Sequence, residues 1–128
     1  MNEMQKQVRE FHVAFGVTVN DKPTIPSDND IELRKHLIQE EFAEFKNASD
    51  ERDIVEIADA LADLLYVVLG SCVTYGIDAE PIFNEVHRSN MTKLWNGKVR
   101  YRLDGKVVKP LTYSPADIKK VIECLGEK

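Results

Sequence analysis

Two runs of carboxylates fall where helices should be packing. Glu40, Glu41 and Glu44 sit in a stretch whose apolar residues recur every three or four positions, and Glu56, Asp59 and Asp63 recur the same way inside a still more apolar segment. At about 100° per residue, with Leu33 as origin, the residues Leu33, Leu37, Ala48, Phe45, Ile38, Ile31 and Phe42 fill an arc of about 180°. Glu41 falls at about 80° and Glu44 at about 20°, both inside that arc, with Glu40 at its edge near 340°. A carboxylate on a packing face is costly unless it is paired or bound to metal. One pairing is open to it, because Arg34 shares the face.

The second run makes a narrow stripe: with Ile54 as origin, Glu56, Asp59 and Asp63 lie at about 200°, 140° and 180°. Gly70 and Thr74 flank it and no cation interrupts it. Like charges at i and i+4 are mildly destabilising, so a stripe of this kind needs a counter-charge. Hard oxygen ligands suit Mg²⁺ or Mn²⁺, and Mg²⁺ prefers a few carboxylates, some waters and an open side for phosphates.

The periodicity elsewhere is also helical. A first helix is expected over Glu3 to Phe15, with Gly16 as its stop, followed by a proline-containing loop over Val17 to Asn29. Ser27 or Asp28 should cap a second helix ending near Ala48, where Asn47-Ala48-Ser49-Asp50 breaks it. A third, capped by Asp50, should run from about Glu51 to Tyr75 and close at Gly76. Asp78 should cap a fourth that ends near Met91. From Thr92 to Tyr113 the pattern changes to a basic flap with a small hairpin around Asp104-Gly105. Ser114 and Pro115 should open a short last helix to about Leu125. The expected fold is all-α, a four-helix bundle core with an extended basic C-terminal segment and a short last helix, in a single domain over 1–128.

Bulk properties narrow the function. The 128 residues are 43% apolar and 30% charged, and no uninterrupted apolar run approaches the roughly 18 residues of a membrane span. The polar start, Met1 to Glu10, lacks the apolar core of a secretion signal, so a cytoplasmic protein is expected. Cys72 and Cys124 are read as thiols, in keeping with that compartment. A net charge of −5 argues against a nucleic-acid polymer as partner. That charge is segregated: Asp53 to Val86 has seven acids and no Lys or Arg, while His87 to Tyr113 has seven Lys or Arg and one acid, Asp104. An acidic middle and a basic tail suit a ligand that brings both a cation and phosphates.

The ordered motifs resemble the all-α nucleoside triphosphate pyrophosphohydrolases of the MazG-like superfamily, in particular a phosphoribosyl-ATP pyrophosphohydrolase-like subgroup. The residues that carry the resemblance are Glu40-Glu41-x-x-Glu44, Glu56-x-x-Asp59, Ala60-Leu61-Ala62-Asp63-Leu64-Leu65-Tyr66, Gly76-Ile77-Asp78, Val86-His87-Arg88-Ser89-Asn90-Met91-x-Lys93 and Asp104-Gly105-Lys106-Val107-Val108-Lys109-Pro110. The resemblance implies Mg²⁺- or Mn²⁺-dependent hydrolysis of a nucleoside triphosphate between the α- and β-phosphates. It implies Glu41, Glu44, Glu56, Asp59 and Asp63 as metal ligands and Glu40 as the base. Arg88, Asn90, Lys93 and Lys109 would bind the phosphates. One departure stands out: several relatives have a glutamate where this chain has Ala60, so that Asp63 with Asp59, or Glu56 with Asp59, could be the ligand pair.

The third helix has more apolar surface than one layer of helices needs, so a homodimer is expected. Two further readings stand beside nucleotide-pool cleaning of dUTP or a non-canonical triphosphate. One is a phosphoribosyl-ATP hydrolase, and the other is a non-catalytic helical dimer that binds metal or nucleotide.

Overall fold

The computed structural model describes residues 1–127. Its helices are α1 (Glu3–Phe15), α2 (Asp28–Glu51), α3 (Ile54–Tyr75), α4 (Ala79–Met91) and α5 (Ile118–Gly126). Only two isolated β-bridges occur among the described residues, so the fold is all-α as expected. The chain forms two compact units, Met1–Ala79 and a second that starts at Glu80.

In the first unit α3 packs against both α1 and α2. Asn2 caps α1 by accepting from Gln5 N–H, and Ser27 caps α2 by accepting from Asp30 N–H. The expected break at Asn47-Ala48-Ser49-Asp50 does not occur, and α2 runs through it to Glu51. Helix propensity is a weak term that packing overrides, and here buried Ala48 seats that turn. The reversal comes later, with Arg52 in the left-handed region and Asp53, not Asp50, accepting from Val55 and Glu56 N–H at the start of α3. Two residues therefore join α2 to α3, which makes them an antiparallel pair.

The core is small: Val8 of α1 meets Leu69 and Val73 of α3, with Val19 and Ala79 against them. Buried Gln5 secures the turn after α3, donating to Ile77 O at 2.8 Å and accepting from Ala79 N–H at 2.9 Å. The proline-containing loop is pinned to the end of α3. Asn20 N–H donates to Val73 O, Asn20 Nδ2 to Thr74 O, Thr24 N–H to Tyr75 O, and Thr74 Oγ1 to Thr18 O. Phe11 and Phe15 lie outside the core, stacked with centroids 4.4 Å apart and with Phe11 edge-on to Tyr66. Leu61, Leu65 and Val68 of α3 are exposed as well. By length and composition α3 could cross a bilayer, a property that central helices of bundles share.

The second unit is organised by Arg88 of α4. Its guanidinium pairs with both carboxylate oxygens of Glu85 at 2.6 and 3.0 Å and donates to Ser114 Oγ and Pro115 O. Glu85 also accepts from Asp117 N–H at 2.7 Å. Arg88 and then the Asp117 amide hold the Glu85 carboxyl down to about 2. The hairpin is a single bridge, Tyr101 with Val107, around the Asp104-Gly105 turn. The last helix starts later than Ser114: Asp117 caps it by accepting from Lys120 N–H at 3.1 Å.

Gly76 has φ +70°, and a Cβ there would run into the Lys22 carbonyl. Gly76→Ala therefore combines a left-handed penalty of about 1–2 kcal/mol with a backbone collision. A loss of at least about 2 kcal/mol in urea unfolding is expected.

Candidate metal centre

The antiparallel register of α2 on α3 decides which side chains meet. Toward the start of α2, Arg34 lies buried against α3, where Nε donates to Ser71 Oγ at 3.1 Å and Nη2 to Val67 O at 2.9 Å. Gly70 makes room for it, since a Cβ there would collide with Arg34 Nη2 and press on His12 Nε2. Buried His12 contacts Thr18 O through Nδ1 at 3.2 Å. Desolvation holds its pKa below the usual histidine value, opposed by that contact and aided by Arg34. Arg34 is thus spent on α3 backbone and hydroxyl, and the pairing with Glu41 and Glu44 that its helical position allowed is not made.

Two turns further along α2, Glu41 and Glu44 face Asp63 of α3. One carboxylate oxygen from each lies within 4.8 Å of the others. Among the described residues no Lys or Arg forms an ion pair with any of the three. Glu41 Oε2 is buried and has no hydrogen-bond partner. The Glu41 carboxyl is pushed up, first by desolvation, then by the charges of Glu44 and Asp63, by a hydrogen bond to Glu44 and by Glu40. Three acids from two helices, one with an orphaned buried oxygen, fit a hard divalent cation, whose charge would relieve both the repulsion and the unsatisfied atom.

The remaining predicted acids divide. Glu56 and Asp59 line a neighbouring cavity of about 350 Å³ together with Glu44, Asn47, Glu51 and Ala60. They stand outside the three-acid cluster, and Glu44 belongs to both. Glu40 is exposed, with Oε1 2.8 Å from His36 Nε2 one turn earlier. Sequence reading missed Glu51 and Asn47. The signal was present: Glu44, Asn47 and Glu51 follow each other at three- and four-residue steps, but the presumed helix break hid it. Of the predicted phosphate ligands, all in the second unit, Asn90 and Lys109 are exposed, Lys93 is half-buried, and Arg88 is committed to Glu85.

Residues 8–90 match the family described as phosphoribosyl-ATP pyrophosphohydrolase. The chain belongs to that family. The match runs from α1 through α4 and includes all six acids of the two runs. The phosphoribosyl-ATP pyrophosphohydrolase family lies within the MazG-like superfamily, whose pyrophosphohydrolases are typically dependent on a divalent metal. The chain is also similar to an uncharacterised protein of Acanthamoeba polyphaga mimivirus, with 29% identity over 126 residues, 94% of this chain and 48% of that protein. The chain spans about half the length of that curated relative.

The geometry sets the sign of two measurements. Because Glu41 is raised in the folded state, metal-free wild type should lose stability as pH rises from about 4.5 through the raised value, where the native protein binds more protons than the unfolded chain. Glu41→Gln should flatten that part of the profile and be at least as stable without metal. Mg²⁺ or Mn²⁺ at a hundred times its dissociation constant should stabilise wild type by about 2.7 kcal/mol and leave the variant nearly unmoved, as read by thermal unfolding in chelator and in metal.

Proposed function

We propose that the protein hydrolyses a nucleoside triphosphate between the α- and β-phosphates, giving a nucleoside monophosphate and pyrophosphate. The observation that carries this reading is the uncompensated carboxylate cluster of Glu41, Glu44 and Asp63 in a chain of a pyrophosphohydrolase family. Those three acids would hold Mg²⁺ or Mn²⁺, with Glu56 and Asp59 as outer ligands or ligands of a further ion beside Glu44. A bound divalent ion supplies charge to the phosphate oxygens and lowers the pKa of a water. Glu40 is the proposed base: it lies outside the cluster, is open to solvent, and His36 fixes one of its oxygens. Asn90, Lys93 and Lys109 are the proposed phosphate ligands, while Arg88 holds the tail to α4. Water adds across the phosphoanhydride bridge, so no covalent enzyme intermediate is needed.

The family's own description favours a second reading, in which phosphoribosyl-ATP is the substrate. A screen of pyrophosphate release over canonical, deoxy, uracil-containing and oxidised triphosphates, with phosphoribosyl-ATP beside them, separates the two. Release is expected to require Mg²⁺ or Mn²⁺ and to disappear in Glu41→Gln and Asp63→Asn. Glu40→Gln should lower kcat by about 10²–10⁴-fold. Equal rates in wild type and the three variants would overturn the assignment, and binding without release would favour a non-catalytic dimer.

The same reading includes a homodimer. Its support is the row of exposed apolar side chains on α3, Leu61, Leu65 and Val68, beside the Phe11, Phe15 and Tyr66 cluster. A stable interface needs about 800 Å² per partner with a dry apolar centre, and such a face supplies that kind of surface. Sedimentation should give twice the 14.6 kDa of the chain, and Leu65→Lys should shift it toward the monomer.

A further inference from the structure

The second unit gathers cations around one phenol. Thr92 Oγ1 accepts from Ser114 N–H at 2.8 Å, which joins the end of α4 to the tail and brings the neighbours Lys93 and Tyr113 to the same place. Tyr113 N–H donates to Pro110 O at 3.0 Å, and that turn lays Lys109 Nζ 4.8 Å above the centre of the Tyr113 ring. The side chain of buried Ser89 hydrogen-bonds the phenol. A hydrogen bond from Ser89, then the charges of Lys109, Lys93 and Arg88, lower the Tyr113 pKa against a small opposing effect of burial.

These cations differ in what they have left to give. Arg88 already commits four of its five N–H groups to Glu85, Ser114 and Pro115. Lys93 and Lys109 have no carboxylate within ion-pair distance among the described residues, and the nearby acid Asp104 is taken by Arg102 at 2.7 Å. An anion at the phenol would be attracted by both ammonium groups. A phenol both donates and accepts, so the Tyr113 hydroxyl can offer its proton to an acceptor outside. A tetrahedral oxyanion offers several oxygens in different directions, which matches two mobile ammonium groups and one fixed hydroxyl.

We propose that Tyr113 is a phosphate-binding residue whose hydroxyl completes, with Lys93 and Lys109, a seat for a phosphoryl group. The seat deepens the hydrolase reading by adding a positioning group for the phosphate chain or for released pyrophosphate, and its test stands without catalysis. Titration of the full chain with inorganic pyrophosphate in chelator, followed by calorimetry, should show binding in wild type. Tyr113→Phe keeps the ring under Lys109 and removes only the hydroxyl, so a loss of about tenfold is expected. Lys109→Gln should lose at least as much, and Lys98→Gln, outside the cluster, should bind as wild type does.

Absence of pyrophosphate binding in wild type, unchanged binding in Tyr113→Phe, or an equal loss in Lys98→Gln would overturn the seat. Kinetics separate the two sources of phosphate. A raised KM with unchanged kcat in Tyr113→Phe assigns the seat to the substrate's own chain. An unchanged KM with weaker inhibition by pyrophosphate assigns it to the product. If no triphosphate is hydrolysed while pyrophosphate binding still depends on Tyr113, the hydrolase reading fails and the seat remains.

Discussion

The close antiparallel packing of α2 on α3 is the constraint on which the site depends. Ala48 and Ala60 are both buried, and Gly70 carries no side chain where Arg34 crosses. These small residues let the helices approach until carboxylates from both stand within ligand distance. The same approach consumes the one cation that could have neutralised them, because Arg34 reaches Ser71 and the Val67 carbonyl instead. A cluster of three acids without a counter-ion is destabilising in itself. It persists because the apolar contacts and the bonds that pin the proline loop to α3 hold the frame.

The two units divide the chemistry by charge. The first has the carboxylates, and its cations are placed elsewhere: Arg9 with Asp21, Lys35 with Glu32, Lys46 over the Phe42 ring. The second has the cations, and its acids are placed elsewhere too: Glu85 with Arg88, Asp104 with Arg102. Around Glu41, Glu44 and Asp63 in the first unit, no ion pair neutralises the acids among the described residues.

Much of this was legible because helical periodicity reports directly on which residues share a face. The angular positions of Glu41 and Glu44 on α2 and of Asp63 on the α3 stripe bring them to facing helices, and Gly16 and Gly76 close their helices as their sequence positions suggest. Periodicity does not say what covers a face. Phe11 and Phe15 have the spacing of core residues and yet lie on the surface of the chain. Nor does it choose among hydrogen-bond partners, which is why Arg34 could be paired on paper with acids it does not touch. The misplaced end of α2 has a similar origin. Asn47, Ser49 and Asp50 are weak helix formers in isolation, while the packing of Ala48 and the capping by Asp53 act only once α3 is in place.

The continuation of α2 to Glu51 adds a carboxylate beside the acids at the start of α3. Ala60 is buried, 4% exposed, and lines the cavity they share. The acids of α3 divide: Asp63 joins Glu41 and Glu44, while Asp59 and Glu56 line the cavity that Glu44 and Glu51 also line. Glu44 has two carboxylate oxygens and stands at the junction. It is the one side chain that can serve the compact cluster and the open cavity together. The turn of α2 beyond Ala48 therefore adds Glu51 to the cavity, and Glu44 stands between the two groups.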